Sequence, residues 1–191
     1  MPARFRRDGL LVSATCPPRR RERVVPDTER ESLLRMLAEQ RDFLRFTVKD
    51  LDDDQAAQRT TASELTLAGL IKHVTATERE WIEFIQHGAG EIDYEDPATF
   101  EAHAQGFRLA GEETLRSVLA DYQRTAEQTE EYVRTLPDLE VAHKLPAAPW
   151  FPEDAGWTAR DVLLHLLRET AQHCGHADII RESLDGQKTM G

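Results

Sequence analysis

Apolar residues in this chain recur three and four positions apart over long stretches, and nowhere alternate with polar ones over a useful length. That pattern admits packed helices and excludes a sheet protein. A first helix is predicted from about Thr28 to Leu51, where Leu33, Leu34, Leu37, Leu44, Val48 and Leu51 share helical spacing and Asp27, just after Pro26, offers an N-cap. A second spans about Thr66 to His87, carrying Leu67, Leu70, Ile71, Val74, Trp81, Ile82 and Ile85, with Gly88 to stop it. A third, about Thr114 to Leu136, places Leu115, Val118, Leu119, Tyr122 and Val133 on one side and ends at Pro137. The fourth opens on "WTARD": Thr158 caps it, Asp161 takes the acidic capping-box position and Trp157 staples onto the first turns. It continues to about Asp185, before Gly186. The expected architecture is an all-α four-helix bundle.

Two long connections separate these helices. Residues 88–113 are irregular and Gly-containing, with a short helix expected from about Pro97 to Ala104. Residues 137–157 hold four prolines and cannot be helical through most of their length. Connections this long in a compact domain are usually functional or loosely ordered.

Charge narrows the partners. The net charge of −11 speaks against a nucleic-acid surface, because phosphate contacts need a clustered basic footprint. Residues 1–25 are the exception: Arg4, Arg6, Arg7, Arg19, Arg20, Arg21 and Arg23 against Asp8 and Glu22 give +5, leaving −16 on the remainder. Without apolar periodicity, and with Pro17–Pro18, this segment reads as a flexible basic tail ahead of one bundle domain at 26–191. The apolar run in "GLLVSATC" is too short for a secretory signal, and no window approaches the roughly 20 apolar residues of a membrane span. Cys16 and Cys174 do not make a disulfide framework. A cytoplasmic protein is expected.

The informative residues are the polar ones that break the apolar stripes. On a helical wheel the last helix buries Val162, Leu166, Thr170, Ala177, Ile180 and Leu184, yet His173 falls near the centre of that stripe and Glu169 at its edge, one turn away. His165 and His176 lie further round, toward solvent, and Cys174 points away from Glu169, which suits packing better than nucleophilic work. On the second helix His73 sits at the margin of the stripe and Glu78 inside it. Burying an unpaired carboxylate costs several kcal/mol, so Glu169 needs a cation, a donor network or a raised pKa. An antiparallel bundle would bring His73 to Glu169 and His173, giving N, O and N ligands with open coordination positions, as in catalytic Zn²⁺ sites. The same residues also suit a satisfied hydrogen-bond network in the core. Glu78 is a second, weaker candidate, as an orienting group behind the ligands.

Two segments, "LTLAGLIKHVTATEREW" and "GWTARDVLLHLLRETAQHCGHADIIRESLDGQ", resemble the DinB superfamily. The branch is that of actinobacterial DinB-like proteins and the N-terminal domain of mycothiol-dependent maleylpyruvate isomerase, and the resemblance covers about residues 27–187. It implies a four-helix bundle with a long crossover and a divalent metal held by His73, Glu169 and His173, Zn²⁺ first and Ni²⁺ or another divalent ion second. It further implies a low-molecular-weight thiol as cosubstrate and a small-molecule electrophile as its target. The activity expected is thiol S-transfer or a thiol-dependent isomerisation; a homodimer is among the assemblies such relatives form. Maleylpyruvate isomerase has a second domain that contributes to its active site, and none follows the fourth helix here, so that substrate is not expected. Trp81, Trp150 and Phe151 are the expected pocket walls. The competing reading is a non-catalytic metal- or ligand-binding stress protein on the same scaffold.

Overall fold

The computed structural model describes residues 28–189 apart from 91, 92 and 95, so the basic segment 1–25 and Asp27 lie outside the described residues. Six helices and one small strand pair are present among them: α1 (Glu29–Phe46), α2 (Asp53–Ala56), α3 (Leu67–His87), α4 (Pro97–Gln105), α5 (Leu115–Thr135), β1 (Ala142–Lys144), β2 (Gly156–Thr158) and α6 (Ala159–Asp185). The all-α bundle expected from the sequence is what forms. Among the described residues no helix is long and apolar enough to cross a membrane.

The four long helices share one device at their start. Thr28, Thr66, Thr114 and Thr158 are the N-caps, each hydroxyl accepting an amide proton from three residues on. Thr158 and Asp161 close the expected capping box. The first helix starts on Thr28, and it ends at Phe46, short of Leu51, because the chain turns through Asp50 at φ 62°. Beyond that turn Asp52 caps the four-residue α2, too short to leave a periodic signal. Gly88 and Gly186 end α3 and α6 with φ of 81° and 82°.

Contacts along the helices fix the topology. Arg160 holds Glu29 at one end of α1, the Cys174 thiol meets the Gln40 carbonyl midway, and Arg181 donates to the Thr47 carbonyl at the other end, so α1 and α6 run parallel. Lys72–Glu113 and Arg79–Asp121 make α3 and α5 parallel as well. His73 faces His173 and Trp81 faces His165, so α3 and α6 are antiparallel. Parallel neighbours require the chain to travel back along the bundle between them. Residues 88–114, with α4, make that return. The Pro-rich connection closes instead as a short antiparallel ladder, Ala142 opposite Thr158 and Lys144 opposite Gly156, against the expectation of no strand.

The core is divided. Leu34, Leu37, Ile82, Ile85, Val133, Val162 and Leu166 pack at one end; Leu44, Leu70, Ile71, Val74, Tyr122, Ala177 and Ile180 pack at the other. Each long helix passes from one cluster to the other through buried polar residues: Arg41 on α1, Thr75 and Glu78 on α3, Thr125 and Thr129 on α5, Thr170 and His173 on α6. Thr75 and Thr170 donate their hydroxyls back to the carbonyls of Ile71 and Leu166, so they close on their own helices. Arg41 donates to both oxygens of Glu78, at 2.6 and 3.2 Å, and to Glu130 at 3.3 Å. This polar belt girdles the middle of the bundle.

Candidate metal centre

At the edge of the belt, α3 and α6 bring together the residues singled out from the wheel. Their antiparallel course sets His73, two turns into α3, against the middle of α6, where Glu169 and His173 are one turn apart. Glu169 Oε1 lies 3.8 Å from His73 Nε2 and 3.5 Å from His173 Nε2, and one ligand atom from each residue falls within 4.8 Å of the others. Both distances exceed those of a sound N–H···O bond. Donors sharing one tetrahedral ion at about 2.1 Å stand roughly 3.4 Å apart, so the trio is spaced as a slightly open zinc shell would be. Two imidazoles and one carboxylate are also a donor set that borderline divalent metals accept.

The electrostatics favour ligation. Burial, reinforced by the neighbouring His173 and His103 and opposed by Glu169, holds His73 down at about 4. Burial likewise lowers His173, with Glu169 working in the opposite direction. Both histidines are 7% exposed. At neutral pH they are uncharged, with lone pairs free. Among the described residues the Glu169 carboxylate meets only these two imidazoles as ion-pair partners, and a cation would supply the missing countercharge.

α4 and the turn after it cover the trio. Phe107 stacks on His73 with centroids 3.9 Å apart, and His103 meets the same ring edge-on at 5.6 Å. This approach depends on Gly69: a β-carbon there would stand 1.9 Å from the Phe107 carbonyl oxygen. His103 and Phe107 are not among the residues expected from the sequence; their only signal is a spacing of four, His103 on α4 and Phe107 just past its end.

Other candidates are redistributed. Glu78, expected as an orienting group, has both oxygens engaged by Arg41, and its role is to balance a buried guanidinium. His176, read as turned to solvent, is half-buried, and its Nδ1 lies 3.3 Å from Nδ1 of His173. Cys174 donates to the Gln40 carbonyl, and burial pushes its thiol up to about 11, so it is no nucleophile at neutral pH. Trp81 stacks on Trp157 at 4.6 Å, and both meet His165 one turn before Glu169. Phe151 backs Trp157, whereas Trp150 is exposed and touches Tyr94. A broad surface concavity of ≈ 930 Å³ lies at the far end of α3, lined by His87, Gly88, Asp93, His143 and Lys144 among others, and includes none of the trio. Convergent donor atoms, not volume, mark the candidate site.

Residues 32–186 match a family model described as MST: Mycothiol-S-transferase. No curated protein matches the chain.

Proposed function

The chain belongs to the mycothiol-S-transferase family, a DinB-like family, and from that premise we propose a divalent-metal-dependent transferase that joins a low-molecular-weight thiol to a small electrophile. The thiol is of the mycothiol type, and the metal is Zn²⁺ ahead of Ni²⁺. One observation carries the reading: three donors, far apart in sequence, converge at the spacing of a single ion's shell. The family description names transfer, which favours S-transfer over isomerisation.

His73, Glu169 and His173 hold the ion, which when bound lowers the pKa of a thiol so that its thiolate forms at neutral pH. The chain's own residues do the rest. The two neutral imidazoles leave a single negative charge, that of Glu169, on the trio, so these residues would not neutralise a divalent ion held between them. Phe107 covers one face of His73 and excludes water from it. Trp81, Trp157 and His165 form an aromatic wall one turn along α6 from Glu169, where the body of an electrophile can lie. The sulfur then bonds to the electrophilic carbon, the leaving group departs with its electron pair, and the thiol proton goes to solvent. Such a thiol must be reduced to react, which suits a cytoplasmic enzyme.

The test is metal analysis of untagged protein, followed by turnover of a chlorinated aromatic with mycothiol. One Zn²⁺ per chain and thiol-dependent turnover, both lost in His173→Ala, are expected. An empty protein in zinc-replete medium overturns the metal centre; bound metal without turnover across a panel of electrophiles favours a non-catalytic binder.

A further inference from the structure

We propose that His176 is a positioning residue for the metal centre: its Nδ1 accepts the Nδ1 proton of His173 and so fixes the tautomer that presents Nε2 to the ion. This rests on the metal-centre reading above.

The atom of His173 that faces Glu169 is Nε2, at 3.5 Å, so the ring joins the shared centre through that nitrogen. A neutral imidazole carries a single proton, and a free lone pair on Nε2 obliges that proton to sit on Nδ1. There it meets Nδ1 of His176, at 3.3 Å. Two nitrogens facing each other share one proton, so one must donate and the other accept. With His173 as donor, His176 keeps its own proton on Nε2, and its half-buried ring lets that group reach water. The opposite arrangement puts a proton on Nε2 of His173, pointing at Glu169, and that ring cannot ligate.

Metal-bound histidines usually find this support in a carboxylate or a backbone carbonyl. Here a second imidazole on the same helix, three residues on, takes the place. The i,i+3 spacing sets the two rings side by side on adjacent turns of α6. Cys174, between them in sequence, is bonded to α1 and leaves the pair undisturbed.

The experiment compares Zn²⁺ affinity, by chelator competition, in the wild type and in His176→Ala, His176→Asn and His176→Gln. Asn places an amide oxygen where Nδ1 of His176 stands, whereas the amide of Gln reaches the Nε2 position. The Ala variant is expected to bind Zn²⁺ about 10- to 100-fold more weakly, the usual loss for such an orienting partner. Asn restores most of the affinity and Gln does not. Nitrogen-15 shifts of His173 in the Zn²⁺-bound wild type should show the proton on Nδ1. Ala binding as tightly as wild type, Gln rescuing as well as Asn, or a proton on Nε2 overturns the proposal. If Ala fails to fold, Asn against Gln still decides. Failure of the metal-centre reading is distinguishable, because then the wild type itself does not bind Zn²⁺.

Discussion

Glu78 and Glu169 looked alike on the wheel, two carboxylates intruding on apolar stripes, and their neighbours separate them. Glu78 is buried against Arg41, a residue 37 positions earlier that stands in the apolar stripe of α1 between Leu37 and Leu44. Truncating it strands a buried guanidinium, so Glu78→Ala should cost about 3–5 kcal/mol in urea unfolding, whereas pairing it with Arg41→Met should recover much of the loss. Glu169→Gln keeps the shape of the site and removes its charge; Zn²⁺ affinity should fall with little change in the thermal midpoint of the metal-free protein. The imidazoles set a pH dependence. His73 is held at about 4 when folded but titrates near 6.5 when unfolded. Between those values the unfolded chain binds a proton that the folded chain refuses. Stability of the metal-free protein is therefore full above about 6.5 and declines as the pH falls toward about 4. Thermal midpoints across that window should show the slope, and His73→Gln should flatten it. The sequence placed His73, Glu169 and His173 because helical spacing is local. It missed Phe107, His103 and the contact of His176, because these depend on how a connection and a ring settle in three dimensions.

Among elements, the crossover connection is the one whose position is most sharply specified by a single residue. Gly69 sits in the first turn of α3, and the Phe107 carbonyl rests where any side chain would be. Gly69→Ala must push the connection outward, lifting Phe107 from His73. The expected result is a lower thermal midpoint together with faster loss of Zn²⁺ to chelators; a variant with wild-type metal release would show that Phe107 is not what guards the ring. The long helices were legible because each carries a threonine cap, an apolar stripe and a Gly or Pro near its end. The exception was the end of α1, where Asp50 adopts a left-handed conformation and Asp52 starts a new turn. The β1–β2 pair was not legible: three residues are too few to show alternation, and prolines nearby argued only against helix.

At the scale of the molecule, the parallel pairing of α3 with α5 makes the return connection 88–114 part of the design, whereas the Pro-rich connection joins α5 to α6, which run antiparallel. The existence of both connections could be read from the sequence; their route could not, since no local pattern states which helices become neighbours. Zinc should stabilise the whole bundle through its preference for the folded site, by about 2.7 kcal/mol at a hundredfold excess over Kd, read as a rise in thermal midpoint that chelators reverse. The candidate ligands stand at positions 73, 169 and 173, so an ion held between them would tie α3 to α6 and make a ring of the intervening chain. α4, α5 and the strand pair all lie inside that ring. A covalent bridge closing a loop of about 100 residues removes some 4.7 kcal/mol of freedom from an unfolded chain by the chain-entropy account. A metal that survives partial unfolding would act on this molecule as a removable crosslink, letting the two ends fray while the ring stays shut.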